Sequence, residues 1–437
     1  MPHEHTTAAI LSVGDEITLG QTLDTNGPWL AQRLRDIGIV PVEHVTVPDN
    51  LARHAAALRR LGHEVDLIIC TGGLGPTADD LTRQAMAQAS DDSLVEDPLA
   101  LAQVEAFFAA RAREMPTINR GQAHRPSRGR TLPNLNGTAP GLHGTIGTAE
   151  VFCLPGPPGE MKPMFEHHVL PRLNPPSGRI VRTRVLHCFG IGESDLATRL
   201  GNLMDRTRSP LVGTTASGGV VSIRLRYEGP APAVEAEALL DTCEHEARSL
   251  AGEFVFGAGE DRLSAVVLRL LRERGETLAC VESCTGGLLE AMITETPGSS
   301  AAFVGGLVTY ANEAKTELAG VPAAVLEFPG PGAVSAECAL EMAAGGMDRL
   351  KASHCLAITG IAGPEGAVAA TTNRAAKPVG TVFIARTSRA AGPDARRFQF
   401  PGDRSSVRSW AAVSALGMLR QHLAGLPLVR VLRQVEP

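Results

Sequence analysis

Between Val65 and Thr82 the chain reads VDLIICTGGLGPTADDLT. Val65–Cys70 is an apolar run of strand length, and Thr71–Pro76 breaks it with glycines at 72, 73 and 75. The spacing predicts a strand that opens into a glycine loop, with a helix starting near Asp79–Leu81. In open α/β sheets ligands gather beyond the carboxyl ends of strands. Gly72, Gly73 and Gly75 would let the backbone approach a phosphate closely, and helix-start N–H groups favour its charge. Asp79 and Asp80 add hard oxygen ligands, suited to a magnesium-like cation bridging phosphate oxygens. The competing reading is a glycine turn with Asp79 capping the helix.

Upstream, Ala8–Val13 reads as a buried strand ended by Gly14-Asp15-Glu16. A helix from Asn26 to Ile37 carries Trp29, Leu30, Leu34 and Ile37 at helical spacing, and Gly38 stops it. Ile39–Val47 is the next expected strand and Leu51–Leu61 the next helix. Downstream, Val151–Leu154 is followed by a proline-glycine loop and a helix to Leu173. Strands joined by short crossover helices imply a parallel, doubly wound α/β sheet over residues 1–173. Three more Gly/Pro-rich segments fall near strand ends: Gly14-Asp15-Glu16, Asn136–Leu142 (NGTAPGL) and Leu154–Met161 (LPGPPGEM). Loops converging on one rim are hard to explain as turns alone, which favours a site over a turn.

Asn174–Gly178 (NPPSG) reads as a linker. The order strand Ile180–Phe189, helix Glu193–Met204, hairpin Leu211–Thr215 with Val220–Tyr227, and helix Ala233–Leu250 suits a small α+β module over 174–258. A third domain, 259–437, starts with the amphipathic helix Leu263–Arg274 and the strand Thr277–Glu282. Strands at Cys355–Ile358 and Gly380–Ala385 and a closing helix Arg408–Leu423 follow. Ala367–Ala376 is expected to be a loop.

In this third domain Val281–Leu288 (VESCTGGL) again sits at a strand-to-helix junction, but with Ser283, Cys284 and Thr285 in place of carboxylates. A hydroxyl beside helix-start N–H groups has an oxyanion hole available for acyl chemistry. It needs a base, and no histidine sits in a recognisable partner motif. Val308–Lys315 (VTYANEAK) supplies Tyr310 and Lys315, so a Ser-Lys dyad is the natural candidate, provided burial lowers the amine's pKa. The plainer alternative makes Lys315 a solvated helix residue and Ser283 a cap. Thr359–Glu365 (TGIAGPE) offers further backbone donors, and Pro297–Ser300 (PGSS) is either a phosphate site or an ordinary turn.

Composition bounds these readings. The 437 residues are 43% hydrophobic and 20% charged, a globular balance that calls for two or three domains. A net charge of −6 argues against a duplex nucleic-acid footprint. No apolar run reaches the ~18–20 residues of a membrane span, and MPHEHTT lacks the form of a signal peptide, so no membrane contact and a cytoplasmic location are expected. Only four lysines occur (Lys162, Lys315, Lys351, Lys377), and arginine cannot substitute as an amine base. Eight scattered cysteines without a CxxC pair are expected to be buried free thiols. Thirteen histidines form no metal-ligand spacing, and His3 and His5 flank a glutamate at a terminus expected to fray.

Together TGGLGPTADDLT, NGTAPGL, LPGPPGEM, GIGESDL (Gly190–Leu196), ESCTGG, VTYANEAK and TGIAGP resemble the CinA (competence/damage-inducible) family, in family order over nearly the whole chain. The resemblance implies a molybdopterin-binding-like α/β first domain, a KH-like middle module and a C-terminal α/β CinA domain. It also implies a nicotinamide mononucleotide amidohydrolase in the last domain, needing no cofactor. In the first it implies an ADP-ribose pyrophosphatase dependent on a divalent metal, magnesium-like or cobalt. A homodimer is expected, and direct nucleic-acid contact is not. Carried over by residue, Ser283 is the nucleophile and Lys315 its base, with Tyr310 lining or orienting the site. Thr285, Gly286, Gly287 and Ser300 border the substrate, and Gly360 and Gly363 form the opposite wall. Asp80 is the leading metal ligand, with Asp79 and Asp15 behind it. The chain departs from the family pattern where EGAVAATTNRAA intervenes before Lys377-Pro378-Val379-Gly380. The alternative class is a non-catalytic nucleotide or pterin binder acting through partners in competence or recombination.

Overall fold

The computed structural model describes residues 4–364, 377–426 and 431–436. It forms two compact units, Met1–Arg182 with Glu228–Glu237, and Thr183–Tyr227 with Ala238–Pro437. Most of the α+β module falls within the second unit.

In the first unit the strands are β1 (Thr7–Val13), β2 (Val40–Val47), β3 (Leu67–Thr71), β4 (Leu94–Glu96), β5 (His124–Pro126), β6 (Arg130–Leu132), β7 (Gly141–Ile146) and β8 (Ala149–Leu154). Six form one sheet in the order β2-β1-β3-β8-β7-β6. The β2-β1-β3-β8 portion is parallel, as crossover helices require, whereas β7 and β6 are antiparallel additions, so the sheet is mixed. Strand residues alternate between two cores. Ala9, Leu11 and Val13 pack with Ala55, Leu58 and Leu61 of helix Leu51–Glu64, while Ala8 and Ile10 pack with Leu30 and Leu34 of helix Asn26–Asp36. The chain is tied down at His5, the histidine of that segment that lies among the described residues. His5 is buried, Asn174 donates its N–H to the His5 Nδ1 at 3.0 Å, and Glu150 lies 2.8 Å from its Nε2. His3 and Ala367–Ala376 lie outside the described residues.

In the second unit β9 (Ile180–Phe189), β10 (Leu211–Ser217), β11 (Val220–Gly229) and β12 (Val255–Ala258) form a sheet ordered β10-β11-β9-β12. A six-stranded sheet follows, from β13 (Leu278–Glu282), β14 (Phe303–Val308), β15 (His354–Gly360), β16 (Thr381–Ser388), β17 (Asp394–Gln399) and β18 (Gln434–Val435). Its order is β14-β13-β15-β16-β17-β18, with the first three strands parallel and the rest antiparallel. Helices Leu263–Arg274 and Arg404–Leu423 cover one face, and helix Ala336–Arg349 covers the other. All eight cysteines are buried free thiols.

Candidate functional site

Register places the loops of the first unit. Val13 pairs level with Val47, Ser12 with Thr71, and Thr71 with Leu154, so β1, β2, β3 and β8 end on one rim. There Gly14, Thr71–Thr77, Thr138–Ala139 and Pro155–Pro158 line one cavity of about 580 Å³. The expected convergence of loops is present.

The glycines work differently from the reading above. A Cβ on Gly72 would lie 2.3 Å from the Val13 carbonyl oxygen, one on Gly73 2.4 Å from Thr82 Oγ1, and one on Gly75 2.4 Å from Asp80 Oδ2. Their missing side chains make room for the protein itself. The next helix starts at Thr82, and its preceding residue gives no side-chain cap, so Asp79 is not a cap.

Asp80 is turned toward the loop. Its Oδ1 accepts the Gly75 N–H at 2.7 Å, and its Oδ2 accepts the Thr77 N–H at 2.8 Å and the Thr77 hydroxyl. Three of a carboxylate's roughly four acceptor positions are thus taken. Asp79 and Asp80 line the cavity, while Asp15 does not; it exchanges backbone-to-carboxylate hydrogen bonds with Asp49. Burial raises the Asp49 carboxyl, with Asp15, Glu16 and Asp79 adding like-charge repulsion. Among the described residues no three His, Cys, Asp or Glu side chains are placed to share one ion. The donors are hard oxygens of the right chemistry, but they do not build the resident metal centre expected around Asp80.

In the second unit Glu282 is level with both Val308 and Ile358, so Ser283, Thr309 and Thr359 follow three strands onto one rim. Helix Asn312–Ala319 then turns Lys315 back beneath Ser283. Lys315 is only 2% exposed and Ser283 8%. The Lys315 Nζ lies 3.0 Å from Ser283 Oγ, 2.9 Å from the Thr309 carbonyl and 3.1 Å from the Tyr310 carbonyl. Among the described residues no carboxylate pairs with it, and burial pushes its pKa below the ordinary lysine value. Lys315 is therefore no solvated surface lysine.

The opening above this pair is a cavity of about 310 Å³, lined by Cys284, Tyr310, Asn312, Thr359, Gly360, Gly363 and Arg404 among others. Gly360 and Gly363 form a wall, as expected. Tyr310 lines the cavity, and its ring does not orient the dyad. It is 58% exposed, offers its carbonyl to Lys315, and its hydroxyl accepts from Arg404 at 2.7 Å.

Thr285, Gly286 and Gly287 do not line the cavity. The Thr285 carbonyl accepts from Arg408 and the Gly287 N–H donates to the buried Glu282 carboxylate, so they shape the loop from behind. Ser300 is exposed on a separate 3₁₀ turn and is likewise absent from the lining. No helix starts at Ser283 either: helix Leu288–Thr294 begins five residues later, so helix-start N–H groups do not face the hydroxyl. The Ser283 N–H donates to the Ile358 carbonyl, whereas no described residue accepts the N–H of Cys284 or Thr285. Burial pushes the Cys284 thiol up to about 12, which keeps it in the weakly nucleophilic thiol form beside Ser283.

Arg404, Asn312 and the Thr309 carbonyl are site components that sequence reasoning missed. The Arg404 guanidinium bridges the Tyr310 hydroxyl and the Gly363 carbonyl, 2.7 Å from each. Its signal was Asp403, whose carboxylate caps helix Arg404–Leu423 by accepting the Ser406 N–H.

Comparison with known proteins divides the chain into three matches: a probable molybdopterin binding domain over residues 9–175, a damage-inducible protein CinA KH domain over 183–257, and a CinA C-terminal domain over 260–423. A relative from Symbiobacterium thermophilum is 44% identical over 431 residues, covering 96% of this chain and 99% of its own. A CinA-like protein from Frankia casuarinae is 40% identical over 437 residues, covering 96% and 97%. The crystal structure of CinA from Thermoplasma acidophilum is 30% identical and covers 38% of this chain and 99% of its own, with a TM-score of 0.36. Three domain matches in sequence order, with relatives of this identity over nearly the full length, make the chain a member of the CinA family.

Proposed function

We propose that the second unit hydrolyses the carboxamide of nicotinamide mononucleotide to the carboxylate and ammonia. The observation that carries this is the 3.0 Å contact between the Lys315 Nζ and the Ser283 Oγ, with two carbonyls flanking the amine. A neutral amine has two hydrogens and one lone pair. Thr309 and Tyr310 take the hydrogens, which leaves the lone pair for the Ser283 hydroxyl proton.

Ser283 Oγ attacks the carboxamide carbon as Lys315 accepts its proton. The Cys284 and Thr285 N–H groups are the candidate oxyanion donors, since that of Ser283 is committed elsewhere. Lys315 returns the proton to the departing nitrogen, ammonia leaves, and an ester on Ser283 remains. A water then attacks that ester, its proton passing to Lys315, and the acid is released with Ser283 restored. A cavity of about 310 Å³ falls in the small-molecule range, and Arg404 on its rim suits a phosphate. Incubation with nicotinamide mononucleotide should yield ammonia and nicotinate mononucleotide in equal amounts, and recovery of unchanged substrate would reject the reading.

For the first unit we propose metal-dependent cleavage of ADP-ribose to AMP and ribose 5-phosphate. Supporting it is the 580 Å³ cavity, whose lining carries Glu16, Asp24, Asp49, Asp79, Asp80 and Glu160 but no basic side chain. Such a lining repels a bare pyrophosphate and accepts one whose charge is offset by a divalent cation. Asp79 and Asp49 would hold that cation on the protein side, and it would supply charge neutralisation at the phosphates. Appearance of AMP only with added metal tests this, while tight binding without turnover would favour the binding-protein alternative. A cytoplasmic homodimer completes the proposed reading.

A further inference from the structure

The residue that the family likeness makes the leading metal ligand does other work in this chain. Asp80 accepts from the Gly75 N–H, the Thr77 N–H and the Thr77 hydroxyl. From the opposite side Arg83, 4% exposed, donates to the Leu74 carbonyl at 2.8 Å and the Gly75 carbonyl at 2.6 Å. Thr82 closes the base: its hydroxyl donates to the Gly72 carbonyl at 2.7 Å and its N–H to the Gly73 carbonyl at 3.1 Å. Residues 72–77 are thus gripped at their carbonyls by Arg83 and Thr82 and at two N–H groups by Asp80.

Gly75 must be glycine because the Asp80 carboxylate fills the place of its Cβ. Within this loop the N–H groups of Gly73 and Leu74 are donated to no described residue, and both residues line the cavity. Adjacent backbone N–H groups left free in a fixed turn form an anion-binding concavity. Burying an arginine and consuming three of four carboxylate acceptor positions is costly unless the loop's shape itself matters.

We propose that Asp80 and Arg83 are positioning residues that hold residues 72–77 so that the Gly73 and Leu74 N–H groups meet a phosphate, and that Asp80 does not ligate the cation. This rests on the nucleotide reading of the first unit. The test uses the full-length protein, its D80A, R83M and D80A/R83M variants, and D80N, which keeps one acceptor oxygen.

Hydrogen exchange without ligand reads the loop directly. Protection of the Gly75 and Thr77 amides should fall about tenfold or more in D80A and in R83M, less in D80N, with the sheet unchanged. Unchanged protection overturns the proposal. Calorimetric titration with a non-hydrolysable methylene analogue of ADP-ribose at saturating magnesium reads the ligand side. D80A and R83M should each weaken binding about tenfold, the double variant little more than either, and the magnesium concentration for half-maximal cleavage should stay within about twofold of wild type. A shift of that magnesium midpoint by about tenfold in D80A, with binding of the analogue at saturating magnesium intact, makes Asp80 a metal ligand and overturns the proposal. Wild-type protein that binds no ADP-ribose instead overturns the nucleotide reading, and the exchange result still decides whether Asp80 shapes the loop.

Discussion

Among the described residues Lys315 has three polar neighbours and no counter-ion, so on the proposed mechanism its protonation state governs whether the Ser283 hydroxyl can lose a proton. Burial lowers the amine's pKa from 10.5, which brings the neutral form toward working pH. Ammonia release should therefore rise with pH through a midpoint below 10.5, and a pH-rate profile flat from pH 6 to about 10 would remove Lys315 as the base. Glu290 makes a second prediction at this scale. Burial raises its carboxyl to about 7, with Glu282 adding repulsion. A carboxyl whose folded pKa is raised favours the folded state while protonated, and that contribution fades as pH climbs from about 4.5 through 7. E290Q should accordingly melt a few degrees higher than wild type at pH 8 and equally at pH 4, as differential scanning calorimetry would show. A melting temperature that falls at pH 8 would mean that Glu290 is ionised and paired.

The helix that delivers Lys315 is set by one close approach. A Cβ on Gly345 of helix Ala336–Arg349 would lie 1.7 Å from the Ala319 carbonyl oxygen, at the end of helix Asn312–Ala319. Gly345→Ala should push the two helices apart, cost about 1–3 kcal/mol, and lower kcat as Lys315 withdraws from Ser283. Thermal melts and turnover measured together check this, and a variant unchanged in both would show that the contact is slack.

Legibility in the sequence varies element by element. Helix Leu263–Arg274 is readable to the residue because apolar spacing and Gly275 agree, and Gly275 takes the left-handed conformation that ends it. β14 was missed because FVGGLV carries two glycines and no alternation. Helix Arg404–Leu423 starts four residues before the expected Arg408, which hid Arg404 from the site. The Ser283–Lys315 pair was legible as residue types at a spacing, whereas the two carbonyls that orient the amine are backbone atoms and leave no mark in composition. The glycines at 72, 73 and 75 were legible as a loop but not in purpose, since what they avoid is the protein's own Val13, Thr82 and Asp80.

At the scale of the whole molecule, the two cavities differ in the charged side chains that line them. Among the described residues the first cavity is lined by six carboxylates, the second by Lys315 and Arg404 with no carboxylate. On the proposed reading, one lining needs a cation to admit phosphates, and the other generates its nucleophile without one. A chelator should thus abolish AMP formation from ADP-ribose while leaving ammonia release within about twofold, and loss of both would tie the amidase to a metal. The most direct measurement is ammonia release from nicotinamide mononucleotide by wild type, S283A and K315A, each shown by circular dichroism to be folded. The Ser-Lys account predicts release by wild type and a fall of at least about 100-fold in both variants. Near-normal release by either folded variant would contradict it.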